Sequence, residues 1–195
     1  MKEVLDLSER AAEPFDKLGL ELLLHSLQSP INTGMILRVA ETYHFNVTIF
    51  DSYGILEDPE KLQTITDFAC GAVERRGFRQ IFDQTQLESF RRGRRLIGTS
   101  VEENAVPLSD HAFVRGDIIV LGNEYDGLPD DVVAASELVL QVPMPAGFAP
   151  KPVSRRPIDP GRAGHVARDG KPNLNVAMTA AIICYSAFAA WRGDH

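Results

Sequence analysis

Three separated segments carry side chains whose types and spacing could do chemistry. The first is Ser29-Pro30-Ile31-Asn32-Thr33-Gly34-Met35-Ile36-Leu37-Arg38. Arg38 lies in an otherwise apolar, helix-like stretch, and a buried or half-buried arginine there calls for a carboxylate or phosphate partner. An internal ion pair meets that need as well as a ligand does. Asn32 reads as the N-cap of the helix. The second segment is Val120-Leu121-Gly122-Asn123-Glu124-Tyr125-Asp126-Gly127-Leu128, a buried strand running into a turn with two glycines and two acids. Ligands of open α/β sheets gather at strand C-termini. Gly122 and Gly127 would allow a close backbone approach or a positive φ, and Glu124 would project a carboxylate. A plain strand-to-helix turn explains the same residues. The third is Asn173-Leu174-Asn175-Val176-Ala177, two asparagines at the mouth of an apolar helix. They serve equally as N-caps or, with the free N–H groups of the first turn, as partners for a polar ligand.

The elements around these segments alternate. Residues 21–27 form an apolar run suited to a buried strand, 33–43 a helix, and 47–50 a β-branched and aromatic strand. Asp58-Pro59-Glu60 opens another helix, with proline in the first turn. Residues 88–95 place Arg91, Arg92, Arg94 and Arg95 at a helix end; 95–99 and 117–121 read as buried strands, 129–136 as a short helix and 138–142 as a strand. Such alternation predicts an α/β fold with a mostly parallel sheet flanked by helices. Residues 1–20 read as a loose arm with one helical turn at most. The last segment, 174–191, is apolar on nearly every side, which predicts burial all round and, in a small domain, a partner subunit.

A chain of 195 residues reads as one domain, 1–195, with 44% hydrophobic and 24% charged residues. Its net charge of −7 opposes indiscriminate phosphate binding. The charge is uneven, because 151–171 holds six basic and two acidic residues, leaving −11 for the rest of the chain. That stretch lies in a Pro-, Gly- and Arg-rich insert over 145–172, longer than ordinary loops. Cys70 and Cys184 read as buried small hydrophobes. The five histidines show no metal-ligand spacing, and no phosphate-binding glycine loop or nucleophile elbow appears. No apolar run has spanning length and the start lacks a leader pattern, so a cytoplasmic protein is expected.

Taken in order, the motifs resemble the SpoU family of SPOUT-class RNA ribose methyltransferases. Asn32-Thr33-Gly34 with Arg38, the turn from Gly122 to Leu128, Val142-Pro143-Met144, and Asn173-Leu174-Asn175-Val176 correspond to its successive motifs over most of the chain. The resemblance implies a C-terminal deep trefoil knot, which periodicity alone would never suggest, and a homodimer with sites near the subunit interface. It implies S-adenosylmethionine as cofactor, converted to S-adenosylhomocysteine, and no metal. Thr99, Gly122, Val142, Met144, Asn173 and Leu174 would hold the cofactor. Arg38, Glu124, Asn32 and Asn175 would serve the reaction: Arg38 on ribose and phosphate, Glu124 orienting Arg38 or the hydroxyl, and the asparagines completing the hydrogen bonds. Arg38, Arg155, Arg156 and Arg162 would contact RNA. Two departures stand out. Asn173 replaces the family's usual serine, and the 145–172 insert replaces a short link. The RNA expected is tRNA before rRNA, at the ribose 2′-hydroxyl rather than a base nitrogen. The rival expectation is an RNA-binding or assembly protein that keeps the fold without catalysis.

Overall fold

Leu22-Leu23-Leu24 forms the middle of strand β1 (Glu21–His25), all five residues of which are buried. A strand apolar on both faces belongs inside a parallel sheet covered on both sides. Here β1 lies between β2 (Asn46–Phe50) and β6 (Ile118–Leu121), with Leu22 in register with Val47 and with Ile119. The computed structural model describes residues 15–101, 105–144 and 174–193. Adding β3 (Arg79–Ile81), β4 (Leu96–Thr99), β5 (Val106–Pro107) and β7 (Leu138–Gln141) gives a seven-stranded sheet ordered β3-β2-β1-β6-β4-β7-β5. All six pairings are parallel.

Alternate residues of the strands feed two cores. Leu22, Leu24, Ile49, Ile97, Ile119 and Leu121 join one cluster, with residues of helices α1 (Pro30–Thr42), α2 (Pro59–Ala69) and α6 (Val176–Gly193). Leu23, Ile118 and Val120 join the other, with Leu87 and Phe90 of α4 (Gln84–Arg91) and Val132 of α5 (Asp130–Ala135). A short helix, α3 (Ala72–Arg75), links α2 to β3. Gly34 lets α1 and α2 touch backbone to side chain. A methyl group there would lie 2.5 Å from the Ile65 carbonyl oxygen and 2.7 Å from Phe68 Cβ.

Several sequence expectations need correction. The cap of α1 is Ser29, whose Oγ accepts from the Asn32 N–H at 3.2 Å; Pro30 occupies the first turn and moves the cap upstream of Asn32. The loose arm expected over 1–20 is already packed at Phe15, which is buried against Phe45, Phe188 and Trp191 with ring centroids 5.4–6.0 Å away. Cys70 is exposed, because it ends α2 in the left-handed conformation (φ 51°), while Cys184 is buried. Within the chain, α6 buries a single stripe, which does not contradict the partner subunit expected to cover the rest. Ala177, Ala180, Ile183, Cys184 and Ala187 form its buried stripe, whereas Met178, Ile182 and Tyr185 remain 42%, 36% and 58% exposed. The knot implied by the resemblance concerns the passage from β7 to α6, and that link, 145–173, lies outside the described residues.

Candidate active site

Glu124 leaves β6 two residues after the Gly122 turn begins and reaches the start of α1. Its Oε2 accepts the Gln28 N–H at 3.0 Å, and its Oε1 accepts the Ser29 N–H at 3.2 Å and the Asn32 Nδ2 amide at 2.9 Å. Asn32 Oδ1 in turn accepts from Asn175 Nδ2 at 3.0 Å. Asn175 Oδ1 accepts the Ala177 N–H at 2.8 Å and so caps α6. One carboxylate thus ties together segments separated by 92 and 143 positions. Hydrogen bonds to a carboxylate are roughly twice as strong as neutral ones, and three of them fix its orientation. A carboxylate offers about four lone-pair sites, so one acceptor position is left for a further donor.

The turn that presents Glu124 is built by its own backbone. Asn123 and Gly127 exchange N–H···O bonds of 3.0 and 2.9 Å, Asn123 Oδ1 accepts the Tyr125 N–H at 2.9 Å, and Asn123 Nδ2 donates to the Ser26 carbonyl at 2.7 Å. A methyl group on Gly122 would fall 2.4 Å from the Gly127 carbonyl carbon, and Gly127 itself has φ 73°. Gly122 is therefore required by the fold-back of the turn. Gln28, Ser29, Ser26 and Asn123 do not stand out in the sequence as site residues. The first two act through backbone N–H groups, which every residue but proline carries.

Thr99, Gly122 and Val142-Pro143-Met144 leave the C-terminal ends of β4, β6 and β7, which are neighbours in the sheet. Thr99 Oγ1 donates to the Val120 carbonyl at 2.8 Å, tying β4 to β6 beside the turn. Leu174, 37% exposed, stands just before α6. Val142 and Met144 are half-buried apolar residues just past the last β7 pairing, a chemistry compatible with an adenosyl group. Asn173, Arg155, Arg156 and Arg162 lie outside the described residues.

Arg38 stands apart from this cluster. Six residues on from Asn32 is about 9 Å along the helix and roughly 120° around it. Its guanidinium is exposed and donates from Nη1 to Cys70 Sγ at 3.3 Å. It lines a groove of about 470 Å³ with Met35, Val39, Asp67, Phe68 and Cys70. Of the two partners expected for Glu124, then, Arg38 is not reached within the chain; Asn32 takes that place. Arg38 is exposed rather than half-buried, and within the chain its hydrogen bond is to the Cys70 thiol, with no carboxylate paired to it among the described residues.

On the opposite sheet face a second cavity of about 500 Å³ is lined by His25, Ser26, Phe50, Ser52 and the 126–130 segment. Burial pushes the His25 pKa below its usual value, and the ring packs on Phe50 at 4.8 Å. Among the described residues, no group of three or more His, Cys, Asp or Glu is placed to hold a metal, and no helix is long and apolar enough to cross a membrane.

Comparison with known proteins identifies the family. The SpoU rRNA Methylase family matches residues 19–149, about two thirds of the chain. No curated protein matches it. Among solved structures, one concerned with the 2-OH methylation of C/U34 on tRNA is 24% identical with a TM-score of 0.66, covering 89% of this chain and 97% of its own. The SpoU methyltransferase AviRb from Streptomyces viridochromogenes in complex with AdoMet is 18% identical with a TM-score of 0.68, over 91% of this chain and 62% of the longer AviRb chain. The A. aeolicus TrmH/SpoU tRNA modifying enzyme is 15% identical with a TM-score of 0.66, over 95% and 85%. At these identities the structures speak for the fold, the family match speaks for descent, and the chain belongs to the SpoU family of RNA methylases.

Proposed function

We propose that this protein transfers a methyl group from S-adenosylmethionine to a ribose 2′-hydroxyl of RNA, tRNA before rRNA, as a cytoplasmic homodimer. The observation that carries the reading is the hydrogen-bond chain Asn175–Asn32–Glu124, which joins three motif segments at the C-terminal edge of the sheet. A ribose hydroxyl is a weak nucleophile until its proton is loosened. Glu124 is held so that its remaining acceptor position can take a hydrogen bond from that hydroxyl. Asn32 and Asn175 keep the carboxylate from swinging away. A guanidinium is in general far too weak a base to take the hydroxyl proton, so the role given to Arg38 is to contact ribose and phosphate.

When bound, S-adenosylmethionine supplies the methyl on a sulfonium centre that is already activated. The carboxylates described at the strand C-termini would suit that cation. Among the described residues, the connections leaving strand C-termini (26–29, 51–58, 82–83, 100–101, 122–129 and 142–144) carry Asp51, Glu57, Asp58, Asp83, Glu124 and Asp126 and no lysine or arginine. The dimer is supported by Met178, Ile182 and Tyr185 on the open face of α6. Arg38, outward on α1, agrees with a site near a subunit interface. Preference for tRNA rests on the near-complete overlap with the protein solved for 2-OH methylation on tRNA.

The experiment is methyl transfer from labelled S-adenosylmethionine to tRNA and rRNA, with the product nucleoside identified by mass spectrometry. A 2′-O-methylated nucleoside is expected. Arg38→Ala should abolish transfer while cofactor affinity is kept. No binding of S-adenosylmethionine at millimolar concentration would sink the enzyme reading, and near-normal turnover in the variant would remove the role given to Arg38.

A further inference from the structure

Among the described residues, the connections that leave strand C-termini hold no lysine or arginine; the basic residues of 151–171, which follow β7 in the sequence, lie outside the described residues. The N-terminal edge has the opposite character. Among the described residues, the connections entering strand N-termini (15–20, 43–45, 76–78, 92–95, 111–117 and 136–137) carry six basic residues, Lys17, Arg76, Arg92, Arg94, Arg95 and Arg115, against Asp16, Asp117 and Glu137. All strands are parallel, so these residues gather at one edge. Several are used up internally: Arg95 pairs with Asp117 at 2.7 Å, and Arg76 with Asp16 at 3.0 Å.

A cluster remains around Phe90. The guanidinium of Arg94 lies 4.4 Å and that of Arg79 5.1 Å from the centre of the Phe90 ring. Arg91 Nε donates to the Arg94 carbonyl at 3.2 Å, which holds Arg91 beside them. Arg92 follows at the end of α4 in the left-handed conformation (φ 44°), exposed, with its Nε on the Ser89 carbonyl. The acids of the cluster are the buried Glu21, 2.8 Å from Arg94 and 3.9 Å from Arg79, and Glu88 one turn before Arg92. Four guanidiniums against two carboxylates leave a positive surface on a chain of net charge −7. Arg79 has 60% of its side chain exposed while paired only at that long distance. Guanidiniums stacked on a ring and tied to carbonyls are already ordered, so less freedom is lost when they bind an anion.

We propose that Arg79, Arg91 and Arg92, seated with Arg94 around Phe90, form a docking surface for the phosphate backbone of the RNA whose ribose reacts at the opposite edge of the sheet. The proposal rests on the RNA-methyltransferase reading of the site. Strands of up to five residues separate the edges by about 17 Å. Even at the B-DNA spacing of about 3.4 Å per phosphate on one strand, several nucleotides are needed to cover that distance. Contacts of this kind fix orientation and register and carry no sequence information. Substrate choice would then depend on an RNA long and folded enough to reach both edges at once.

The test is the salt dependence of binding to unfractionated tRNA, followed by fluorescence anisotropy, for the full chain and for the triple variant R79A/R91A/R92A. Arg94 is left in place because it holds Glu21. Removing one arginine–phosphate pairing lowers the log–log salt slope by about 0.7–0.9, so a drop of about 2–3 is expected for three, with at least a tenfold loss of affinity at low salt. Affinity for S-adenosylmethionine should match wild type. An unchanged slope and affinity would overturn the surface, as would loss of binding to anionic vesicles alone, with RNA binding intact. If the triple variant also loses cofactor affinity, the exposed single variant R92E decides, and an unaltered slope there rejects the proposal. The two readings fail separately. Wild-type methyl transfer with no slope change in the variants rejects only the surface, and a slope change in a protein that methylates no RNA rejects only the enzyme.

Discussion

Glu21 and Asp117, at the strand N-termini, are held by arginines, whereas Glu124, at the strand C-termini, is held by amides. Asp117 is fully buried and takes two hydrogen bonds from Arg95 at 2.7 and 2.8 Å and one from the Val114 N–H at 2.9 Å. Glu21 meets Arg94 at 2.8 Å. Their charges are cancelled locally, and their oxygens are turned inward to close one end of the sheet. Glu124 has the same number of donors as Asp117, but each is neutral, so the carboxylate is oriented without being paired with a cation. The same side-chain chemistry does two jobs, and the identity of the donor separates them. Guanidinium donors make a carboxylate part of the scaffold. Amide donors leave its charge available to a ligand.

The largest effect expected from this difference is on stability. Asp117→Ala leaves Arg95 and the Val114 N–H without their shared partner. Removing one member of a buried, hydrogen-bonded pair costs about 3–5 kcal/mol. Urea denaturation should show that loss, while cofactor affinity per folded molecule is unchanged. Glu124→Gln comes next. It keeps shape but turns one acceptor into a donor facing donors, for about 1–3 kcal/mol of stability, and it should cut methyl transfer about 100-fold, the scale of losing one preorganised group at a reacting centre. Steady-state turnover beside cofactor titration separates the two. If Asp117→Ala abolishes transfer in the folded fraction while Glu124→Gln leaves it alone, the division of labour between the edges is wrong.

Gly122→Ala ranks third. Its added carbon would meet the Gly127 carbonyl carbon at 2.4 Å and the Leu128 nitrogen at 2.6 Å, all backbone, so the turn must open. Overpacking of this kind costs about 1–3 kcal/mol. The loss should be smaller than for Asp117→Ala, yet transfer should fall, because Glu124 is carried on that turn. Equal activity with lowered stability would mean that the turn tolerates displacement and that the reach of Glu124 to α1 is unimportant.

Much of this is legible in the residues alone. Long apolar runs mark β1, β2 and β6, and proline after a capping residue marks α2, where Asp58 accepts from the Glu60 and Lys61 N–H groups. What escapes is short or tertiary. β5 has two residues and β3 three, too few for a period of two to register. Asn32 reads as a cap because its type fits one. The rigid φ of Pro30 places the cap at Ser29 and frees the Asn32 side chain for Glu124. The exposure of Arg38 and Cys70 depends on how closely α1 and α2 approach at Gly34, and no local pattern encodes that distance. The ordered motifs indicate that three segments belong to one site, while the hydrogen bonds that join them depend on the sheet order. The contrast between the edges is hidden as well, since charge along the chain sorts into two edges only once every strand is known to run the same way.

The smallest effect is a pH dependence that tests whether Asp117 acts electrostatically beyond its arginine. The His111 side chain is 4% exposed, with Nε2 3.9 Å from Asp117 Oδ2. Burial lowers its pKa, Asp117 raises it, Arg95 lowers it further, and the balance lies below the usual value. A histidine whose folded pKa is depressed stabilises the fold fully above its unfolded pKa, about 6.5, and loses that contribution as the pH falls through the folded value. Stability should therefore decline below about pH 6.5, and His111→Gln should flatten part of that acid limb in denaturant titrations. His25, lowered by burial at the other edge, supplies a second contribution of the same sign that His111→Gln leaves in place. The sharper measurement is the His111 ring titration by NMR in Asp117→Asn. Removing the one influence that raises the pKa should move the midpoint further down and leave His25 where it was. A midpoint that stays put would show that the Asp117 charge is spent entirely on Arg95, making the N-terminal edge still more self-contained than the pairing distances imply.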